Sequence, residues 1–230
     1  MISTIRNSGS SRGTVKRRSK RFGLLAGAFC IALACCSNAS AQGNEQINDA
    51  LKKATQYLLS QQDENGAIWE RKPHMRNQTA MTSLAILSLT AIGHQAADST
   101  PEGGALKRAL GYVLRPEAQE PDGYLGAKDG SRMYGHGITT LMLAEMLGMG
   151  ADSSQDELLR IRCRKAIELI IRAQKVPKND NNRGGWRYTP DAGDSDMSVT
   201  VWQTMALRAA KNAGMDVPRE SIEEAVRYIK

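Results

Sequence analysis

The chain has 230 residues, 31 Lys and Arg against 24 Asp and Glu, and only 5% aromatic residues. Seven basic residues (Arg6, Arg12, Lys16, Arg17, Arg18, Lys20, Arg21) and no acidic one precede position 42, so the 189 residues from Gln42 onward carry 24 charges of each sign. A neutral body excludes a basic nucleic-acid surface, and its single cysteine, Cys163, excludes an internal disulfide.

The first 41 residues read as a bacterial-type export signal. Arg17 to Arg21 form a basic region, Phe22 to Cys36 an apolar run too short to span a bilayer comfortably, and Ala39-Ser40-Ala41 a cleavage site. Ala32-Leu33-Ala34-Cys35 faintly resembles a lipobox with its leucine one place off, and ordinary export to the periplasm or beyond is expected. Both phenylalanines, Phe22 and Phe29, lie in this segment.

Beyond it, Ile47, Leu51, Ala54 and Leu58 make one face of an amphipathic helix from Gln46 to Gln62, ended by Asp63-Glu64-Asn65-Gly66. A second helix, from about Asn77 to Ile92, has no charged residue and is expected to be buried nearly all round. Thr100-Pro101-Glu102 opens a helix to about Leu114. After the loop Pro121-Asp122-Gly123-Tyr124-Leu125, Tyr134 to Met149 is again apolar. Ser154 and Glu157 form a capping box for an amphipathic helix to Gln174, with Cys163 on its core stripe of Leu159, Ala166, Ile167 and Ile170. A Gly-Gly-Trp loop follows, then an apolar helix from Ser198 to Ala213. Asp216-Val217-Pro218 opens a last amphipathic helix. No strand pattern competes.

Thr82-Ser83-Leu84, Thr139-Thr140-Leu141 and Thr200-Val201-Trp202 align at spacings of 57 and 61 residues. A period near 60, with one charged and one apolar helix per unit, predicts an all-α helical-hairpin repeat with amphipathic helices outside and apolar ones inside.

Tyr57-Leu58-x-x-x-Gln62-x-x-x-Gly66-x-x-Trp69 resembles the QW repeat of squalene–hopene cyclases and their relatives. Degraded copies follow at Gln119-x-x-x-Gly123, with Tyr124 in the Trp place, and at Gln174 with Gly185-Trp186 beyond a polar insertion. Asp194-Ser195-Asp196-Met197-Ser198 resembles the Asp-x-Asp-Asp-Thr motif of class II terpene cyclases, with Met197 in place of the last Asp. The resemblance covers residues 44–230 and implies the α/α-toroid fold of the squalene-cyclase and prenyltransferase-like family, with Asp196 as proton donor. A full ring of that family has about six hairpins, and this chain has three and a half. Tyr228-Ile229 would place the next Gln at 233, so the ring is expected to be incomplete at its C-terminal end.

The candidate catalytic residues are Asp196, Asp194 and His136. Paired carboxylates can raise one pKa and make a general acid if buried together; equally, Asp and Ser at a helix start cap free N–H groups. By the alignment His136 corresponds to Met197 and Thr79, on one rim of the inner layer, where it could join the carboxylates or be a hydrogen-bonded structural histidine. The prenyltransferase branch uses an Asp, Cys, His zinc set, but no Cys or His follows Asp196; no metal and no cofactor are expected. His74 and His94 flank the second helix, at whose ends a cap or solvation is expected. The three tryptophans read as packing residues, and Arg183, Arg187 and Lys178 with Asp191 and Asp194 as a salt-linked loop.

The expected function is an exported binding or scaffold module without catalysis, its ligand an isoprenoid, a glycan or a protein, with self-association through open repeat ends as a further expectation. Two enzymatic readings stand beside it: a terpene-cyclase-like isoprenoid enzyme with Asp196 as general acid, and a carbohydrate-active α/α-toroid enzyme, which export would suit.

Overall fold

A computed structural model of the chain describes residues 44–69 and 76–230. The expected export signal and His74 lie outside the described residues. By their contacts, residues up to Ala50 and those from Leu51 to Lys230 form separate units. Of the first, only the opening turns of helix α1 are described.

The described residues are all-helical: α1 (44–60), α2 (Gln78–Ala91), α3 (Pro101–Leu114), α4 (Arg132–Glu145), α5 (Ser153–Gln174), α6 (Met197–Asn212) and α7 (Arg219–Ile229), with a 3₁₀ turn at Pro116–Ala118. One isolated bridge, Gln62 to Ile68, closes the turn after α1. The apolar helices stand in a row, α4 packing between α2 and α6, and the amphipathic helices back them, α3 on α2, α5 on α4 and α7 on α6. Alternation of amphipathic and apolar helices therefore translates directly into two layers.

Local chemistry sets the ends. Thr100 Oγ1 accepts from Gly103 N–H at 3.1 Å with Pro101 in the first turn, as expected. At α5 the cap is Asp152, accepting from Gln155 N–H at 3.0 Å, two residues before the expected Ser154, because the carboxylate reaches the free amide from an extended backbone. The α5 stripe is buried as read: Leu159, Cys163, Ala166 and Ile170 are inaccessible, and burial pushes the Cys163 thiol up to about 12. Two stripes depart from expectation. On α1, Ile47 is 59% and Leu51 40% exposed. On α2, Met81, Leu84 and Leu87 are only half-buried and Ser88 is exposed, so this uncharged helix keeps one open side.

One contact recurs three times. Gln62 Nε2 donates to Gly66 O (3.0 Å) and to Ala105 O of α3 (2.9 Å). Gln119 Nε2 donates to Gly123 O (2.9 Å) and Arg162 O of α5 (3.0 Å). Gln174 Nε2 donates to Gly184 O (2.9 Å) and Ser221 O of α7 (2.8 Å). A primary amide has two N–H groups, so each glutamine clasps its own turn with one and the next amphipathic helix with the other. The glycines have φ of +95°, +103° and +89°, and a Cβ on any of them would strike a carbonyl of that next helix, at Arg108, Lys165 or Glu224.

This registration corrects the alignment of the aromatic residues. Counted from the clasping glycine, Tyr124 is one residue on, Trp186 two and Trp69 three, so they are not equivalent. The residues that are equivalent, Ile68, Leu125 and Trp186, are all buried. Trp186 sends Nε1–H to Ile170 O at 2.8 Å, whereas Trp69 sends its own to Asp63 at 2.7 Å.

Candidate functional site

Asp196 is the N-cap of α6. Its Oδ1 accepts from Val199 N–H at 3.0 Å and from the Ser198 hydroxyl at 2.6 Å. The Ser198 hydrogen bond, then the Val199 amide, hold its pKa below the ordinary carboxylate range. Asp194 is exposed and pairs with Arg187 at 3.3 Å. The two carboxylates are thus not buried together.

His136 is inaccessible and lies one turn into α4. Leu125 N–H donates to its Nδ1 at 3.2 Å, which places the proton on Nε2, 3.1 Å from Ala166 O. Both nitrogens are thereby spent on backbone, joining the turn after α3, α4 and α5. Burial lowers its pKa to about 4, against a smaller opposing effect from the Ala166 hydrogen bond. In the other two copies Thr82 and Thr200 accept the equivalent amide, of Ile68 (3.1 Å) and Trp186 (3.0 Å). The histidine thus does the work of a threonine hydroxyl from one turn earlier. At the three aligned positions Thr79 and His136 are buried, while Met197 is 46% exposed.

The basic loop divides as well. Lys178 Nζ donates to the carbonyls of Ala173, Gln174 and Val176 at 3.1–3.3 Å, capping the C-terminus of α5, and burial lowers its pKa. Arg183 turns to Glu224 at 3.8 Å.

A cleft of about 410 Å³ lies between the N-terminal parts of α2 and α4. Ala80, Met81 and Leu84 form one wall, Tyr134 and Ile138 the other, and Arg132 and Tyr188 its edge. A second hollow of about 290 Å³ lies across Met81 and Leu84, against Tyr57, Leu58 and Trp69. The open side of α2 is thus the shared wall of two apolar depressions.

The turn before α4 builds the cleft's edge. Buried Asp129 accepts at Oδ2 from the amides of Thr79 (3.1 Å) and Ala80 (3.4 Å), capping α2 from a distant segment. Its Oδ1 accepts from Ser131 N–H (3.0 Å) and Oγ–H (2.5 Å). Arg132 follows with φ +56°, the one non-glycine residue in the left-handed region among those described, and its N–H donates to Gly126 O at 2.9 Å. Such a backbone costs about 1–2 kcal/mol in a residue with a Cβ. Asp129 and Gly126 hold it there.

Across the cleft, Tyr134 stacks on Tyr188 with centroids 6.0 Å apart, and its hydroxyl meets Ser198 Oγ. Ser198 spends its proton on Asp196, so Tyr134 must donate to Ser198 and its oxygen offers the cleft only lone pairs. Sequence reasoning missed Asp129, Arg132 and Tyr188. Asp129-Gly130-Ser131 carried a turn signal, but nothing in it announced a cap for a helix fifty residues away.

Among the described residues no three of His, Cys, Asp and Glu gather as a metal site, and no helix is long and apolar enough to cross a membrane. No protein-family model matches the chain, and no curated protein or solved structure gives a significant match.

Proposed function

We propose that the chain is an exported, non-catalytic binding module built of squalene-cyclase and prenyltransferase-like α/α hairpins, whose ligand lies in the cleft between α2 and α4. The observation that carries this reading is the division of labour among side chains. Asp196, Asp194 and His136 are spent on a cap, an ion pair and a three-way backbone clasp, while Met81, Leu84 and Ile138 line open space. A buried neutral imidazole and an ionised cap are poor proton donors at neutral pH. An apolar cleft of this size with a few polar groups at one end suits a small amphipathic ligand.

Methyl NMR tests the site. Titration with dodecanol is expected to shift the methyl signals of Met81 and Ile138 and to leave those of the inaccessible Met142 and Ile170 in place. Shifts at the inaccessible methyls alone, or none at saturation, would remove the reading.

A further inference from the structure

We propose that this cleft takes a carboxylate-headed acyl chain, with the carboxylate on Arg132 and the chain against Met81, Leu84 and Ile138. The inference rests on the binding-module reading and names its ligand class. Arg132 is exposed at the edge of an apolar wall and makes no ion pair among the described residues. Asp129, three residues earlier, is occupied by Ser131 and the first amides of α2, whose dipole balances its charge. An arginine held in a costly left-handed backbone at the edge of an apolar cleft, with no ion pair among the described residues, is arranged for an anion that arrives with the ligand.

The number of charges selects the head group. Two neighbouring cations are engaged, Arg187 with Asp194 and Lys128 with Glu120. One guanidinium matches one carboxylate in a bidentate pair, whereas a diphosphate would leave charge unpaired. The Tyr134 oxygen presents only lone pairs and repels an anion, so the head goes to Arg132 and the chain runs inward past Ile138.

Isothermal titration of the chain with dodecanoate, dodecanol and acetate tests this, using the parent and the Arg132→Gly and Arg132→Lys variants. Glycine suits φ +56°, so Arg132→Gly folds at least as well and any lost binding is not lost structure. The expected result is dodecanoate bound about tenfold more tightly than dodecanol, since a charged hydrogen-bonded pair contributes on that order. Arg132→Gly brings the ratio to about one and Arg132→Lys keeps only part of it; acetate, lacking a chain, does not bind. Equal affinity for dodecanoate and dodecanol in the parent, or a preference that survives Arg132→Gly, overturns the head-group assignment and leaves the cleft reading standing. Failure of both long-chain ligands to bind overturns both.

Discussion

At Asp196 and His136 the same residue types that could carry chemistry are used to hold backbone, and hydrogen-bond direction shows which role each has. Asp196 accepts only, from an amide and a hydroxyl. Asp196→Asn keeps an acceptor and should leave stability nearly unchanged, whereas Asp196→Ala should cost about 1 kcal/mol in denaturant unfolding. With its folded pKa below the unfolded one, Asp196 contributes stability that is present above the ordinary carboxylate value and is lost as pH falls through the lowered one. His136 acts in a higher window. Its folded pKa of about 4 lies below the ordinary 6.5, so protons prefer the unfolded chain, and stability should fall as pH drops from 6.5 towards 4, by a few kcal/mol in all. Replacing His136 by Gln should flatten that slope in pH-dependent unfolding curves. Arg132→Gly, by releasing a left-handed arginine, should raise stability by about 1 kcal/mol.

Among the elements, the three glutamine clasps are where sequence and structure meet most closely. Removing one by Gln174→Leu strips two buried carbonyls, of Gly184 and Ser221, of a donor each, and should cost about 2 kcal/mol or more. The clasping glycines allow a sharper comparison. Gly123→Ala places a Cβ against the Lys165 carbonyl and should cost about 2–4 kcal/mol. Gly148→Ala, at φ +79° with open space around it, should cost about 1 kcal/mol. Thermal unfolding of the two variants side by side checks the difference. The helices, the two layers and Gln62 with Gly66 were legible because periodicity and a short spacing are local. The second hydrogen of each glutamine was not, since its acceptors, Ala105, Arg162 and Ser221, differ in side chain and share only a backbone carbonyl. Trp186 was placed with Trp69 by residue type, but the true register follows a glycine whose identity needs φ to see. For the candidate site, Asp196 was readable as a cap, while His136 was open because nothing local reveals that Leu125 and Ala166 close around it.

In the molecule from Leu51 to Lys230, buried polar side chains join one helix to the next, and the cleft between α2 and α4 is walled by apolar side chains. Asp129 ties the turn before α4 to the start of α2, His136 ties α4 to α5, and the clasps tie each amphipathic helix to its successor. Substitutions at these ties should therefore lower the cooperativity of unfolding between neighbouring helices, whereas substitutions at Met81 or Ile138 should act on ligand binding first. The central claim is that Asp196 and His136 serve structure rather than proton transfer. A single NMR titration following the Asp196 carboxyl carbon and the His136 ring protons tests it most directly. The account predicts Asp196 titrating below the ordinary carboxylate range and His136 at about 4. An Asp196 that titrates above that range, or a His136 that titrates near neutrality, would contradict it and restore an acid–base pair to the rim of α4 and α6.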